Sequence, residues 1–276
     1  MAQSINGFSN LTGLNQLSKT QTALAQALEK LASGKRINNA ADDAAGLAIA
    51  NRFQAQINGL NTATRNASDG ISYGQTVESA LDESTTSLQR IRDLSLQAAN
   101  DTLTGSDRAA IQAEIDQLKD EVTRISDTTT FNGRKVLAGG SDQASFQIGP
   151  NPGDQVSVPG FDASADALGS STAKVADIDV TVPGGTQTAI DTVDSALSQI
   201  DSYRASMGAI QNRFESSIRN LSSVSESQSA ALSRVQDTDY AAQIAELSRE
   251  QVKRQAGIAL QAQANAISRQ VLSLLS

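Results

Sequence analysis

From Leu14 onward the apolar residues follow a three–four spacing. Leu14, Leu17, Gln21, Leu24, Leu28 and Leu31 alternate in this way, and all but Gln21 are leucine. That period predicts a helical seam, which ends at Gly34 and is too short to be stable alone. The preceding stretch, MAQSINGFSNLTG, is polar and is expected to be poorly ordered in a monomer. A second helix is expected from about Ala44 to Ala99, softly interrupted by Gly59, Gly70 and Gly74. Its later half carries a seam of Val77, Leu81, Ser84, Leu88, Ile91, Ser95 and Ala98. At ~1.5 Å per residue such a helix spans on the order of 80 Å, too long for one small globule.

The segment NDTLTGSDR (100–108) reads as a turn, with Ser106 as the cap and Asp107 in the first helical turn. A third helix follows, with seam residues Ile111, Ile115, Leu118, Val122 and Ile125. The short connection makes it fold back antiparallel. Asn132-Gly133 marks a hairpin turn. Residues 134–185 then change character. KVLAGG, ASFQIG, DQVSVPG and ADIDVTVPGG are short strand candidates between Gly and Pro, with Phe146, Ile148, Val156 and Val158 packing onto the helices. Helix returns at Thr186. Its seam runs Val193, Ala196, Ile200, Tyr203, Met207, Ile210, Phe214, Ser217, Leu221, Val224, Gln228, Ala231 and Val235, the strongest periodic signal in the chain. A last helix carries Leu260, Ala264, Ile267, Val271 and Leu274 in heptad spacing.

Two interruptions punctuate this pattern. The first lies within LASGKRINNAADDAAGLAIANRF (31–53). Gly34 breaks the helix, and Lys35 and Arg36 sit where the dipole favours cations. Asn38 and Asn39 are cap-type residues, and Asp42 and Asp43 fall in the next first turn. On local physics this is either a specialised joint or an ordinary helix-turn-helix linker. Asp237-Thr238-Asp239 mirrors it near the other end. The layout is palindromic: short seam, joint, long rod, small β-element, long rod, joint, short seam. The fold class expected is mainly α, a long antiparallel helical rod or coiled coil built from both termini, with a small β-hairpin element in the middle. Residues 1–43 with 236–276 form the terminal coiled-coil domain. Residues 44–235 form the rod, including the β-element at about 134–185.

Composition narrows the function. The chain of 276 residues has Tyr 3, Phe 6 and Trp 0, and its apolar content is carried by aliphatics, as suits helices packed side by side. Its 4 prolines all lie between Pro150 and Pro183, so long helices are free to form on either side. Cys 0 and His 0 remove disulfides, thiolate nucleophiles, the usual zinc sites and histidine acid–base chemistry. No P-loop, dinucleotide fingerprint, HExxH or GxSxG is present. The pairs Asp42/Asp43 and Asp237/Asp239 read as helix N-terminal charge rather than metal or acid–base groups, so no enzyme and no cofactor is expected. The net charge of −8 is uneven. Residues 1–36 carry four cations and Glu29, or +3; residues 251–276 carry Lys253, Arg254 and Arg269, again +3; the remainder is therefore −14. Neither end is basic or aromatic enough for nucleic acid. No signal-peptide pattern and no apolar run of membrane-spanning length is visible. Unpaired apolar seams recurring on identical copies build open helical assemblies, so self-assembly follows from the pattern.

The string at 31–53 is similar to the N-terminal signature of bacterial flagellins. TTTFNGRKVL (128–137), NRFESSIRNL (212–221) and QAGIALQAQANAISRQVLSLLS (255–276) resemble further hallmarks of that family, in the family's order. The resemblance covers the chain except 138–190. It implies a filament subunit lacking the large variable outer domains, exported through the flagellar type III apparatus without cleavage and located outside the cell in the flagellum. Partners implied are further copies of itself, the flagellar cap and hook-associated proteins, and an export chaperone on the C-terminal helix at Ile258, Leu260, Ile267, Val271 and Leu274. LQRIRDLSLQAAN (88–100) resembles the segment recognised by the animal flagellin-sensing Toll-like receptor. Gln89, Arg90, Leu94 and Glu114 match, Arg90 as a multidentate contact and Leu94 as an apolar anchor, or all four line a subunit interface. The joint residues Asn39, Asp42, Asp43, Asp237 and Asp239 take a mechanical role. The rival readings are a flagellin-like hook-filament junction protein and, further off, a type III secreted coiled-coil effector. The opening SINGFSNLTGLNQL and the looser joint SRVQDTDYA depart from the family's usual strings and bear on whether this is a major or minor filament protein.

Overall fold

A computed structural model describes residues 2–139 and 143–275, with side chains for 11–139 and 143–267. The helices are α1 (Ala2–Ser33), α2 (Ala44–Ala98), α3 (Gly105–Thr128), α4 (Gly185–Gln236) and α5 (Tyr240–Leu275). Between α3 and α4 lie β1 (Thr130–Phe131), β2 (Arg134–Lys135), β3 (Ala144–Gln147) and β4 (Gln155–Val158), plus a 3₁₀ turn at Val175–Asp177. β1 pairs antiparallel with β2, and β3 with β4. The chain divides into two compact units, Asn58–Ser225 and Met1–Ile57 with Glu226–Ser276. The divisions fall inside α2 and α4, so each of these helices contributes to both units.

In the unit Asn58–Ser225, α2 carries the main core stripe. Val77, Leu81, Ser84, Leu88, Ile91, Ser95 and Ala98 are all 0 % exposed. Each large aliphatic among them contributes roughly 1.5–3 kcal/mol by leaving water. The two serines are tolerated because their hydroxyls donate to the carbonyls of Ala80 (3.1 Å) and Ile91 (2.8 Å). α3 packs antiparallel to α2, burying Ile111, Ile115, Val122 and Ile125, with Leu118 half-buried. Its cap is Thr104, not the expected Ser106. The Thr104 hydroxyl accepts from Asp107 N while the Asp107 carboxylate accepts from Thr104 N, a complete capping box. α4 runs antiparallel to α2 and buries its expected seam from Val193 to Phe214 and at Leu221, while Val224 is 36 % exposed. Ion pairs Arg92–Asp194 (2.7 Å) and Arg204–Asp82 (3.5 Å) join the two helices.

The hairpins match the turn chemistry. Asn132 and Gly133 have φ of 50° and 77°, the left-handed pair that a tight two-residue turn needs. Val156 and Val158 are buried, with Phe146 and Ile148 packed beside the core. ADIDVTVPGG does not form a strand. Its backbone is held by side chains of α3: the Gln112 amide donates to Ile178 O (3.0 Å) and accepts from Val180 N (2.9 Å), and Lys119 Nζ donates to Ile178 O (3.2 Å). These partners satisfy the groups that a sheet would otherwise pair.

In the other unit, α1 begins at Ala2, so the polar opening is helical rather than poorly ordered. α1 pairs with α5, and Gly13 lies beside Gln261 across that pair. Partner helix of this length extends α1 past the two glycines at 7 and 13, whose propensity alone argues against helix.

Candidate assembly and recognition surfaces

The two joints form a single strapped structure. Gly34 ends α1 with φ 70°, the left-handed conformation of a helix stop. Beyond it Lys35 bridges Asp237 in antiparallel pairing, and Thr238 N donates to Gly34 O (3.0 Å). The Arg36 amide and guanidinium donate to Gln236 O (2.6 Å) and Val235 O (2.7 Å), closing the free carbonyls at the end of α4 with a cation. Ile37, 1 % exposed, plugs the bend and lies against Gly46.

The aspartates cap the outgoing helices. Asp43 Oδ1 accepts from Gly46 N (2.9 Å), and Asp239 Oδ1 accepts from Ala241 N (2.9 Å) and Ala242 N (3.2 Å). Asp43 and Asp239 are therefore the N-caps of α2 and α5, where Asn38 and Asn39 had the composition of caps. Asn39 instead donates its backbone N–H to Asp42 Oδ2 (3.1 Å), as does Asn38 (3.1 Å). Those two bonds, that of Asn38 first, hold the Asp42 carboxyl below its ordinary range. Asp42 thus ties the loop rather than sitting in the helix. Among the described residues, no group of three or more His, Cys, Asp or Glu is placed to hold a metal ion.

The helix pair differs from the expected seam in a way that bears on assembly. Gly13 lies by Gln261, Leu17 by Gly257 and Gly34 by Tyr240. Each pair of numbers (13 with 261, 17 with 257, 34 with 240) adds to 274, so the antiparallel register holds without a slip. The face of α1 turned to α5 carries Leu17, Thr20, Leu24, Ala27 and Leu31, of which Thr20 and Ala27 are buried at 6 % and 3 %. Gly13, Thr20, Ala27 and Gly34 recur every seventh position, and small residues there let the helix axes approach. The facing stripe of α5 is mostly polar or small: Gln243, Leu247, Glu250, Arg254, Gly257 and Gln261. Glu250, 5 % exposed, is matched by Lys253 Nζ at 2.6 Å.

Several large apolar residues point elsewhere. Leu14 and Leu28, expected in the seam, are 51 % and 50 % exposed, with Leu11 at 62 %. On α5, Ile258, Leu260 and Ile267 are 51 %, 70 % and 50 % exposed. The side chains of Val271 and Leu274 lie outside the described residues. Sequence reasoning missed Thr20, Ala27 and Tyr240, and set the Arg36 cation at the end of α1, whereas it closes the end of α4. The heptad of small residues was the one available signal.

The expected recognition patch is only partly assembled. Arg90 Nε and Nη2 donate to Glu114 Oε1 (3.0 and 2.6 Å), a fork across α2 and α3 on an exposed face, beside exposed Gln89. Leu94 does not join them. It belongs to the hydrophobic core at 2 % exposure, because it continues the buried stripe of α2, and so cannot serve as a surface anchor.

Comparison with known proteins places these features. Residues 6–142 match the bacterial flagellin N-terminal helical region, and residues 190–275 match the bacterial flagellin C-terminal helical region. The chain is 44% identical over 250 residues to the flagellin of Halalkalibacterium halodurans, covering 91% of each. It is 35% identical to flagellin A of Vibrio cholerae, covering 97% of each, in an alignment of 369 residues, longer than this chain. A structure of a putative flagellar hook-associated protein from Vibrio parahaemolyticus superposes with a TM-score of 0.63 over 71% of this chain and 100% of that one. At 14% identity it shares the fold and nothing finer. The chain belongs to the bacterial flagellin family. It is a structural subunit of the flagellar filament, not an enzyme, and polymerises with its own kind outside the cell. It is a core-only member, since the stretch left between the two matched regions is too short for the large outer domains. No described helix is long and apolar enough to cross a membrane.

Proposed function

We propose that the subunit enters the filament by burying the outer faces of α1 and α5 against further copies. The carrying observation is the division of side chains between the two sides of the helix pair. The inner seam mixes small and polar residues with the half-buried Leu17, Leu24, Leu31 and Leu247, while Leu11, Leu14, Leu28, Ile258, Leu260 and Ile267 are half or more exposed. A solitary pair with this distribution leaves apolar surface in water, and stacked copies remove it. The joints at 34–43 and 233–240 border the terminal domain, residues 1–43 with 236–276, and the rod, 44–235.

Before assembly the same exposed residues of α5, Ile258, Leu260 and Ile267, are covered by an export chaperone, and the chain leaves uncleaved through the type III apparatus. Cap and hook-associated proteins meet the filament ends through the same terminal helices. Exposed Gln89, Arg90 and Glu114 form the polar centre of the surface read by the animal receptor on monomers. The test of the central reading is seeded polymerisation of purified subunits. Wild-type chains elongate seeds into long tubes, and Leu14→Ser/Leu260→Ser does not, while the thermal unfolding of unit Asn58–Ser225 is unchanged. Elongation by the double variant at the wild-type rate overturns the proposal. Short, non-elongating caps on seeds would favour the junction-protein reading.

A further inference from the structure

The tip of the first hairpin carries chemistry that polymerisation through the terminal helices does not use. β1 and β2 pair Thr130 with Lys135 and Phe131 with Arg134, so Asn132 and Gly133 alone make the loop. Both are exposed. Their φ values of 50° and 77° put both in the left-handed region. An Asn tolerates that region, and glycine enters it without strain.

The same pair is a reactive one. In Asn-Gly the glycine nitrogen can close a succinimide ring onto the Asn side chain, and a Cβ on the second residue would hinder the attack. Gly133 has none, and the space where one would stand is empty to 4 Å. What then decides the rate is how firmly the amide is held. Among the described residues, no hydrogen bond engages the Gly133 N–H or the Asn132 side-chain amide. The pairing belongs to Thr130, Phe131, Arg134 and Lys135, so the tip peptide turns without breaking it. The bland explanation is that Asn132 and Gly133 serve only to make the turn. That role leaves the reactivity in place, because the pairing restrains the neighbours and not the tip.

The chain supplies its own controls. It has two other Asn-Gly pairs, Asn6-Gly7 and Asn58-Gly59. They lie inside α1 and α2. A helical glycine N–H donates to the carbonyl four residues back, so its nitrogen must leave the ladder before it attacks. Gly59 is confined further by Pro150, whose Cβ lies 3.2 Å from an added Cβ.

We propose that Asn132 is a self-modification site, at which the hairpin tip converts to isoaspartate without an enzyme. The Gly133 nitrogen attacks Asn132 Cγ. A C–N bond forms, the Cγ–Nδ2 bond breaks, and Nδ2 leaves as ammonia with the Gly133 proton. Water, the one co-reactant, then opens the ring. Attack at the Asn132 main-chain carbonyl carbon leaves the chain running through Cγ as isoaspartate, and attack at Cγ gives aspartate. Nothing is oxidised or reduced. Either product adds a carboxylate to the tip, and isoaspartate also lengthens the main chain by one carbon. A two-residue left-handed loop does not accommodate that carbon, so the bond from Val136 N to Thr129 O (3.2 Å), just beyond the hairpin, loosens.

The experiment is timed incubation of full-length monomers in mildly alkaline buffer, which favours the deprotonated amide. Peptide mapping by mass spectrometry and an isoaspartyl methyltransferase assay read each site. Folded chains are expected to convert at Asn132 at least about tenfold faster than at Asn58, since a factor of ten needs only about 1.4 kcal/mol of helix opening. In urea-unfolded chains the two rates become nearly equal. Asn132→Gln removes the methyltransferase signal from the hairpin peptide; should that variant fail to fold, the wild-type rate ratio, folded against unfolded, decides. Converted chains, separated by ion exchange, show faster amide exchange at Val136. Equal rates at Asn132 and Asn58 in folded chains, no conversion at Asn132, or a ratio that survives in urea overturns the site. Unchanged exchange at Val136 overturns its effect on the hairpin.

Discussion

Gly70 of α2 is where the close packing of α2 and α4 is most directly testable. A Cβ added there would lie 2.6, 2.8 and 3.0 Å from three ring atoms of Phe214. Phe214 is 0 % exposed and is held edge-on by Phe146, so the ring has no room to withdraw. Overpacking of this kind costs about 1–3 kcal/mol. Helix propensity opposes it, since alanine is favoured over glycine by about 1 kcal/mol. With the ring unable to withdraw, the upper part of that range applies, about 2–3 kcal/mol, and Gly70→Ala is expected to lose about 1–2 kcal/mol net. Gly208 of α4 supplies the contrast, because nothing lies within 4 Å of its added Cβ. Gly208→Ala is expected to gain up to about 1 kcal/mol. Thermal unfolding of monomers, followed by circular dichroism, reads both. Tm should fall by about 3–6 °C for Gly70→Ala and rise by about 2–4 °C for Gly208→Ala. Phe214→Leu in the Gly70→Ala background should recover part of the loss, giving a favourable coupling in a double-mutant cycle. A Gly70→Ala variant as stable as the parent chain would refute the close approach of these helices.

Three further outcomes follow from other contacts. Asp42 has a folded pKa held below its ordinary 3.8 by the Asn38 and Asn39 amides. Its contribution is present above that ordinary value and lost as pH falls through the folded pKa. Acid unfolding of the joint, followed by proteolysis at 34–43, should start just below pH 4 in the wild type and show a weaker pH dependence in Asp42→Asn. Gln112→Leu strands the Val180 N–H, leaves Ile178 O with Lys119 Nζ alone, and should cost about 1–3 kcal/mol in urea unfolding, with faster amide exchange at Val180. Arg90→Asp breaks an exposed pair with Glu114 and should change stability by less than about 1 kcal/mol, while receptor-reporter signalling by monomers falls sharply; equal signalling would remove the recognition role.

The long seams of α2 and α4 were legible because each faces a fixed set of neighbours within the chain. A stripe such as Leu81, Leu88 and Ile91 has one burial solution, and period alone finds it. The Asn132-Gly133 turn was equally plain, since few dipeptides accept two left-handed residues. α1 was not legible to the same degree. Its leucines at 14 and 28 lie beside the stripe that meets α5, and periodicity cannot say which stripe a partner covers. The inner stripe is marked by Gly13, Thr20, Ala27 and Gly34, whose weak hydrophobic signal hides a strong steric one. ADIDVTVPGG alternated like a strand, but its backbone partners, Gln112 and Lys119, are distant in sequence. Leu94 matched a motif whose residue types gave no sign of burial, whereas its place on the α2 stripe did. The aspartates were placed at the joints, yet which one caps and which ties the loop depends on single backbone angles.

The most direct test of the assembly mechanism is electron cryomicroscopy of filaments grown from seeds. The structure predicts that α1 and α5 keep their paired register, Gly13 beside Gln261 and Gly34 beside Tyr240, while Leu14, Leu28, Leu260 and Ile267 become buried against neighbouring subunits. A filament in which those four side chains remain in solvent, or in which α1 and α5 have separated, would contradict it.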